Sequence, residues 1–202
     1  MAVCSGTGIQ AADLIYSMTG GTLSGTLNGV PFANAGYSIT ATANPALIQS
    51  YTILGAVPAD YLLATTTIAI DGFAPVFFTD LQFGIASANI NAVSAGNSIV
   101  GFASQLGTDT DTGLGPVGAG SPLSLSAPGS FSGDLITFTG LASPGAATWT
   151  TTGGTLTLSG VAGTATISIT AVPEPSSIIL GGLATGIVVV TARRRRTVRR
   201  TN

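Results

Sequence analysis

The 202-residue chain has no histidine and no lysine, and its first arginine is Arg193. It has one cysteine, Cys4, and one tryptophan, Trp149. Each absence removes a chemistry. Without histidine there is no Ser-His-Asp triad and no Cys-His pair. Without lysine there is no Ser-Lys dyad and no Schiff base. A zinc site needs His and Cys ligands that the chain does not supply. A lone cysteine makes no intrachain disulfide, although this does not decide the compartment. Nucleic acid is excluded as a partner of the body, because phosphates need Lys or Arg and residues 1–192 have neither.

Charge of either sign is scarce, at 7% of residues against 45% apolar. That is too apolar and too uncharged for a typical disordered chain. The few charges are segregated. Asp13, Asp60, Asp71, Asp80, Asp109, Asp111, Asp134 and Glu174 are the acids, and all precede the six arginines at 193–196, 199 and 200. A body of charge −8 thus ends in a segment of charge +6. Such asymmetry marks a tail with its own job.

The body is rich in what strands use. "YSITATA" (37–43), "TTIAI" (66–70), "TLTLSG" (155–160) and "TATISIT" (164–170) alternate apolar residues with Ser and Thr. Successive strand side chains point to opposite faces, so this pattern buries one face and wets the other. Turn signals separate the runs: Gly20-Gly21, Asn28-Gly29, Asn44-Pro45, Asp71-Gly72, Ser132-Gly133 and Gly153-Gly154. Many short strands with Gly/Pro punctuation predict an all-β domain over residues 13–170, an antiparallel β-sandwich or barrel-like domain. The Gly/Pro-rich stretch 107–122 reads as a long loop.

Candidate sites in the body are few. The aspartates stand singly beside turn residues, where Asp satisfies local backbone. No catalytic site, no cofactor and no enzyme activity are expected. Asp109 and Asp111 form half of a calcium-loop pattern. The EF-hand's bidentate Glu would fall at Gly120, so only a non-EF site or a solvated loop remains. Thr155/Thr157 and Thr164/Thr166 read as exposed strand residues, or as a flat sugar- or ice-binding face. Tyr37, Tyr51, Tyr61, Phe73, Phe77, Phe78 and Trp149 read as core, or as a carbohydrate platform.

The tail has three parts. Pro173-Glu174-Pro175 is extended, because proline fixes φ and restricts its neighbour. An uncharged run follows, with Ile178, Ile179, Leu180, Leu183, Ile187, Val188, Val189 and Val190 as its apolar side chains. As a helix, 178–192 would span roughly 22 Å, short of the ~30 Å hydrocarbon core. Gly182 and Gly186 add a GxxxG spacing that lets helices approach. Arg193, Arg194, Arg195, Arg196, Arg199 and Arg200 close the chain and would hold that end in the cytoplasm. A single C-terminal transmembrane helix at 176–192 is therefore expected. A plain membrane anchor and a buried core helix with a basic tail are the competing readings.

Pro-Glu-Pro, then an apolar run, then a terminal arginine cluster resembles the PEP-CTERM sorting signal of Gram-negative bacteria. The resemblance covers Val172–Arg200, and 171–200 is read as the signal. It implies an exported protein, held transiently in the inner membrane. A membrane-embedded exosortase-type enzyme would recognise and cleave at Pro173, Glu174 and Pro175. The mature form would reach the cell surface or extracellular matrix, where extracellular polysaccharide is an implied partner. Residues 1–12 lack a basic and an apolar signal region and are read as the remnant of a signal peptide. The expectation for the body is a surface or matrix protein without catalysis. The alternative is a β-sandwich binding module for polysaccharide or ice, delivered by the same route.

Overall fold

The structure, a computed structural model, describes residues 12–53, 57–80, 82–90, 97–106, 112–139 and 146–172. The chain divides after Ala171, and the described residues belong almost wholly to the first unit. Strands come in chain order as β1 (Leu14–Thr19), β2 (Thr22–Leu27), β3 (Val30–Ala35), β4 (Tyr37–Ala43), β5 (Gln49–Ile53), β6 (Val57–Leu63), β7 (Thr66–Ile70) and β8 (Val76–Phe77). They continue as β9 (Gly84–Asn89), β10 (Asn97–Ser104), β11 (Thr112–Ala119), β12 (Gly129–Thr139), β13 (Ala147–Thr151), β14 (Gly154–Ala162) and β15 (Thr164–Ala171). One short 3-10 turn, Pro45–Leu47, is capped by the Asn44 side chain, which accepts from the Ala46 N–H at 2.9 Å.

All strand pairs are antiparallel. The larger sheet has eleven strands in the order β5-β6-β9-β10-β11-β12-β15-β1-β4-β7-β8. The smaller has four, in the order β13-β14-β2-β3. The chain passes between the sheets four times, at β1–β2, β3–β4, β12–β13 and β14–β15. The first and last crossings use glycine. Gly20, Gly21 and Gly163 have φ of +91°, +68° and +85°, which L side chains rarely adopt. A Cβ on Gly163 would lie 3.2 Å from the Gly21 Cα, so the two corners sit side by side.

Alternation builds the core as expected. In β1, Leu14, Tyr16 and Met18 are buried between less buried neighbours; in β15 Ala165, Ile167 and Ile169 repeat the pattern. From the smaller sheet Leu23, Trp149, Leu156 and Leu158 join the same cluster. Burying each large aliphatic side chain is worth about 1.5–3 kcal/mol. Leu62 of β6, Ile85 of β9 and Val100 and Phe102 of β10 belong to the same cluster as well. Two smaller clusters stand apart, one on Ile53, Val57, Ala59 and Ala88 and one on Ala103, Leu106 and Phe138.

The expected fold class is corrected on two points. The domain is antiparallel β, but neither sheet closes into a barrel and the sheets are not the matched layers of a sandwich. The larger ends at β5 and β8, and one isolated bridge, Phe78 to Thr151, links it to the smaller. Alternation reports which face is wet, not whether the last strand finds the first. As for the transmembrane helix, no helix among the described residues is long and apolar enough to cross a membrane. The run 178–192 on which it was expected lies outside the described residues.

The loop expected at 107–122 is also corrected, because 112–119 is strand β11, paired on both sides. Its glycines provide room rather than a turn. Gly113 stands directly opposite Phe138, and a Cβ there would run into the Phe138 ring and the Ala103 side chain. Gly113→Val should therefore cost about 1–3 kcal/mol through overpacking. Gly160→Ala, with open space at its Cβ, should stay within about 0.5 kcal/mol. Urea unfolding of both variants checks the pair; equal stability would remove this account of the glycines.

Candidate functional site

The solvent face of the larger sheet is assembled by register. Ser17 on β1 faces Ser168 on β15 and Thr40 on β4. Ser168 faces Ser130 on β12, and Thr40 faces Thr67 on β7. A parallel row runs Ser132, Thr166, Thr19, Ser38 and Ala69 across the same five strands. Neighbouring strands lie about 4.8 Å apart, so each row is roughly 19 Å long. Every member is exposed or half-buried, and none is charged. Ser132 and Thr166 share a hydrogen bond of 2.7 Å. The first row ends on Phe77, which faces Thr67 and is 48% exposed.

The smaller sheet repeats the chemistry. Thr148, Thr157 and Thr26 face one another across β13, β14 and β2, with Thr150 opposite Thr155. The Thr148 and Thr157 hydroxyls lie 3.2 Å apart. Both threonine pairs singled out in the sequence, Thr155/Thr157 and Thr164/Thr166, are on wet faces. Ser17, Thr40, Thr67 and Ser130 were not singled out, since they come from four strands far apart in the chain. The only signal for them was the phase of the alternation.

The aromatics do not gather into a platform. Tyr37, Phe78 and Trp149 are buried, while Tyr51, Tyr61 and Phe73 are half-buried. Phe78 stacks on Phe83 at 4.0 Å and meets Trp149 edge-on at 6.0 Å. The Trp149 Nε1–H donates to the Thr112 carbonyl at 3.2 Å.

The aspartates stay apart. Asp60 accepts from the Ser50 hydroxyl at 2.6 Å, and Asp80 accepts from the Thr150 N–H at 2.8 Å. Asp13, Asp71 and Asp134 are exposed. Among the described residues no three His, Cys, Asp or Glu side chains come together as metal ligands. Asp109 and Asp111 lie outside the described residues. So do Pro173, Glu174, Pro175, the apolar run and the arginines 193–196, 199 and 200.

Two buried phenols have raised pKa values. The Tyr16 hydroxyl donates to the Leu125 carbonyl at 2.7 Å, and burial pushes its pKa up to about 12. Burial pushes Tyr37 higher still, and its hydroxyl has no hydrogen-bond partner among the described residues. Both favour the protonated folded state. Their contribution is complete below the ordinary tyrosine value of about 10 and lost as pH rises through about 12. With four tyrosines and no lysine in the chain, alkaline titration should be easy to read. Tyr16 and Tyr37 should ionise only as the fold is lost. Tyrosinate absorbance rising for all four together while the fold persists would contradict this.

The described residues thus form a charge-poor antiparallel β domain with hydroxyl-lined faces. The family described as "PEP-CTERM protein-sorting motif" matches residues 171–196. The chain therefore carries a PEP-CTERM sorting motif at its C-terminal end, consistent with a PEP-CTERM domain-containing protein. No curated protein and no solved structure matches the chain.

Proposed function

We propose that the chain is the precursor of a non-catalytic surface or extracellular-matrix protein, delivered by an exosortase-type system. The observation that carries this reading is the sorting motif at 171–196, containing Pro173-Glu174-Pro175 and the first four arginines. In this reading 13–170 is the delivered domain and 171–200 the signal. The processing enzyme recognises Pro173, Glu174 and Pro175 at the inner membrane, and the arginines mark the cytoplasmic side. The absence of histidine and lysine supports the lack of catalysis, since it leaves serine and cysteine without their usual bases. The test is the mass of the released protein from a native host. A released form still holding 178–200 would overturn the reading.

A second reading has an observation of its own. The uncharged Ser/Thr rows on both sheets favour a binding module for polysaccharide or ice. A wet antiparallel face can carry opposite-charge pairs, each worth about 0.2–1 kcal/mol. Here two rows across five strands contain none.

A further inference from the structure

We propose that a hollow at one corner of the hydroxyl face binds one pyranose unit of a neutral polysaccharide chain. The proposal rests on the binding-module reading above. The hollow is an open depression with a volume of about 450 Å³. Gly36 lines it with bare backbone, Ser38 and Ala69 with short side chains, and Asp71 and Phe73 with larger ones.

Its shape follows from local backbone. Ser38 faces Ala69, and the Asp71 N–H donates to the Gly36 carbonyl at 2.9 Å, carrying the β4–β7 ladder one pair further. A Cβ on Gly36 would lie 2.5 Å from the Asp71 Oδ2, so only glycine lets that carboxylate rest there. The turn is closed by the Phe73 N–H, which donates to the Ile70 carbonyl at 3.0 Å. The Phe73 ring is held edge-on by Phe32 at 5.8 Å. The ring is thus placed before any ligand arrives, which lowers the ordering cost of binding.

The chemistry narrows the ligand. A carboxylate with no cation in residues 1–192 repels anions and acidic sugars. A hard cation needs six to eight oxygens, and Asp71 has no second acid in the hollow. A pyranose offers what remains: an apolar ring face for Phe73 and hydroxyl donors for the Asp71 carboxylate. The hollow opens onto one hydroxyl row, because Ser38 belongs to both. Thr19, Thr166 and Ser132 continue from it on three successive strands. Further units of the same chain would find hydroxyl partners there, so the ligand is a polymer and not a free sugar.

The experiment is calorimetric titration of the full chain with cellohexaose, maltohexaose and laminarihexaose. Asp71→Asn keeps the shape of an exposed residue, Ala69→Leu fills the hollow, and Thr52→Ala alters an exposed residue of β5, at the far edge of the larger sheet. Loss of one charge-assisted hydrogen bond should weaken binding about tenfold or more, with Thr52→Ala inside about twofold. Unchanged melting temperatures show that the variants fold. Binding by the wild type that both hollow variants keep within about twofold overturns the hollow and leaves the binding-module reading standing. No binding of any hexasaccharide by the wild type overturns the proposal; ice-recrystallisation inhibition by that same sample would then keep the module reading without it.

Discussion

A Glu174→Ala chain, expressed in a native host, is expected to accumulate as uncleaved precursor and to vanish from the released fraction. The expectation follows from the proposed role of Pro173-Glu174-Pro175 as the recognition element. Glu174 is the last of the eight acids and stands 19 residues before the first arginine. Two prolines fix φ on either side of it and keep the segment from continuing as a helix. A glutamate between two prolines is the feature that we propose the processing enzyme reads. Replacing Arg193–Arg196 with neutral residues should act differently. It should weaken retention of the tail on the cytoplasmic side, because arginine bias sets orientation. Cell fractionation with mass measurement separates the two effects. Release of Glu174→Ala at the wild-type rate would end the sorting reading.

Trp149→Ala should produce the largest loss of stability of any single change named above. The ring is 2% exposed and is the largest residue that the smaller sheet adds to the shared core. It meets Phe78 edge-on, and its Nε1–H reaches the Thr112 carbonyl at the start of β11 in the larger sheet. Removing a buried aromatic of this size costs about 3–5 kcal/mol, against a total stability of about 5–15 kcal/mol for an ordinary domain. Trp149→Phe keeps most of the packing and removes the donor, so it should cost less. Urea unfolding measures both. A Trp149→Ala loss below about 1 kcal/mol would mean that the sheets do not depend on this contact.

Much of the domain was legible in the chain. The strands at 37–43, 66–70 and 164–170 fall where the alternation puts them, and Asn28-Gly29 is a two-residue hairpin loop with φ of +50° and +79°. Such features are local, set by the residues that adopt them. The misread element was β11, "TGLGPVGA", whose glycines look like turn residues in sequence. Their reason lies elsewhere in the chain, in the Phe138 ring and the β10 backbone that a Cβ would strike.

The sequence by itself determined the antiparallel β character, the wet and buried phases of β4, β7 and β15, the absence of histidine and lysine, and the sorting motif with its first four arginines. Only the tertiary structure decided that the sheets stay open and which strands are neighbours. It also decided that Ser17, Thr40, Thr67, Ser130 and Ser168 form one row, and that Gly36, Asp71 and Phe73 share a hollow. The reason is physical. Backbone hydrogen bonds are nearly the same for every antiparallel pair, so they do not select partners. Selection comes from how all the buried side chains fill one space together, and that is a property of the assembled core rather than of any stretch within it.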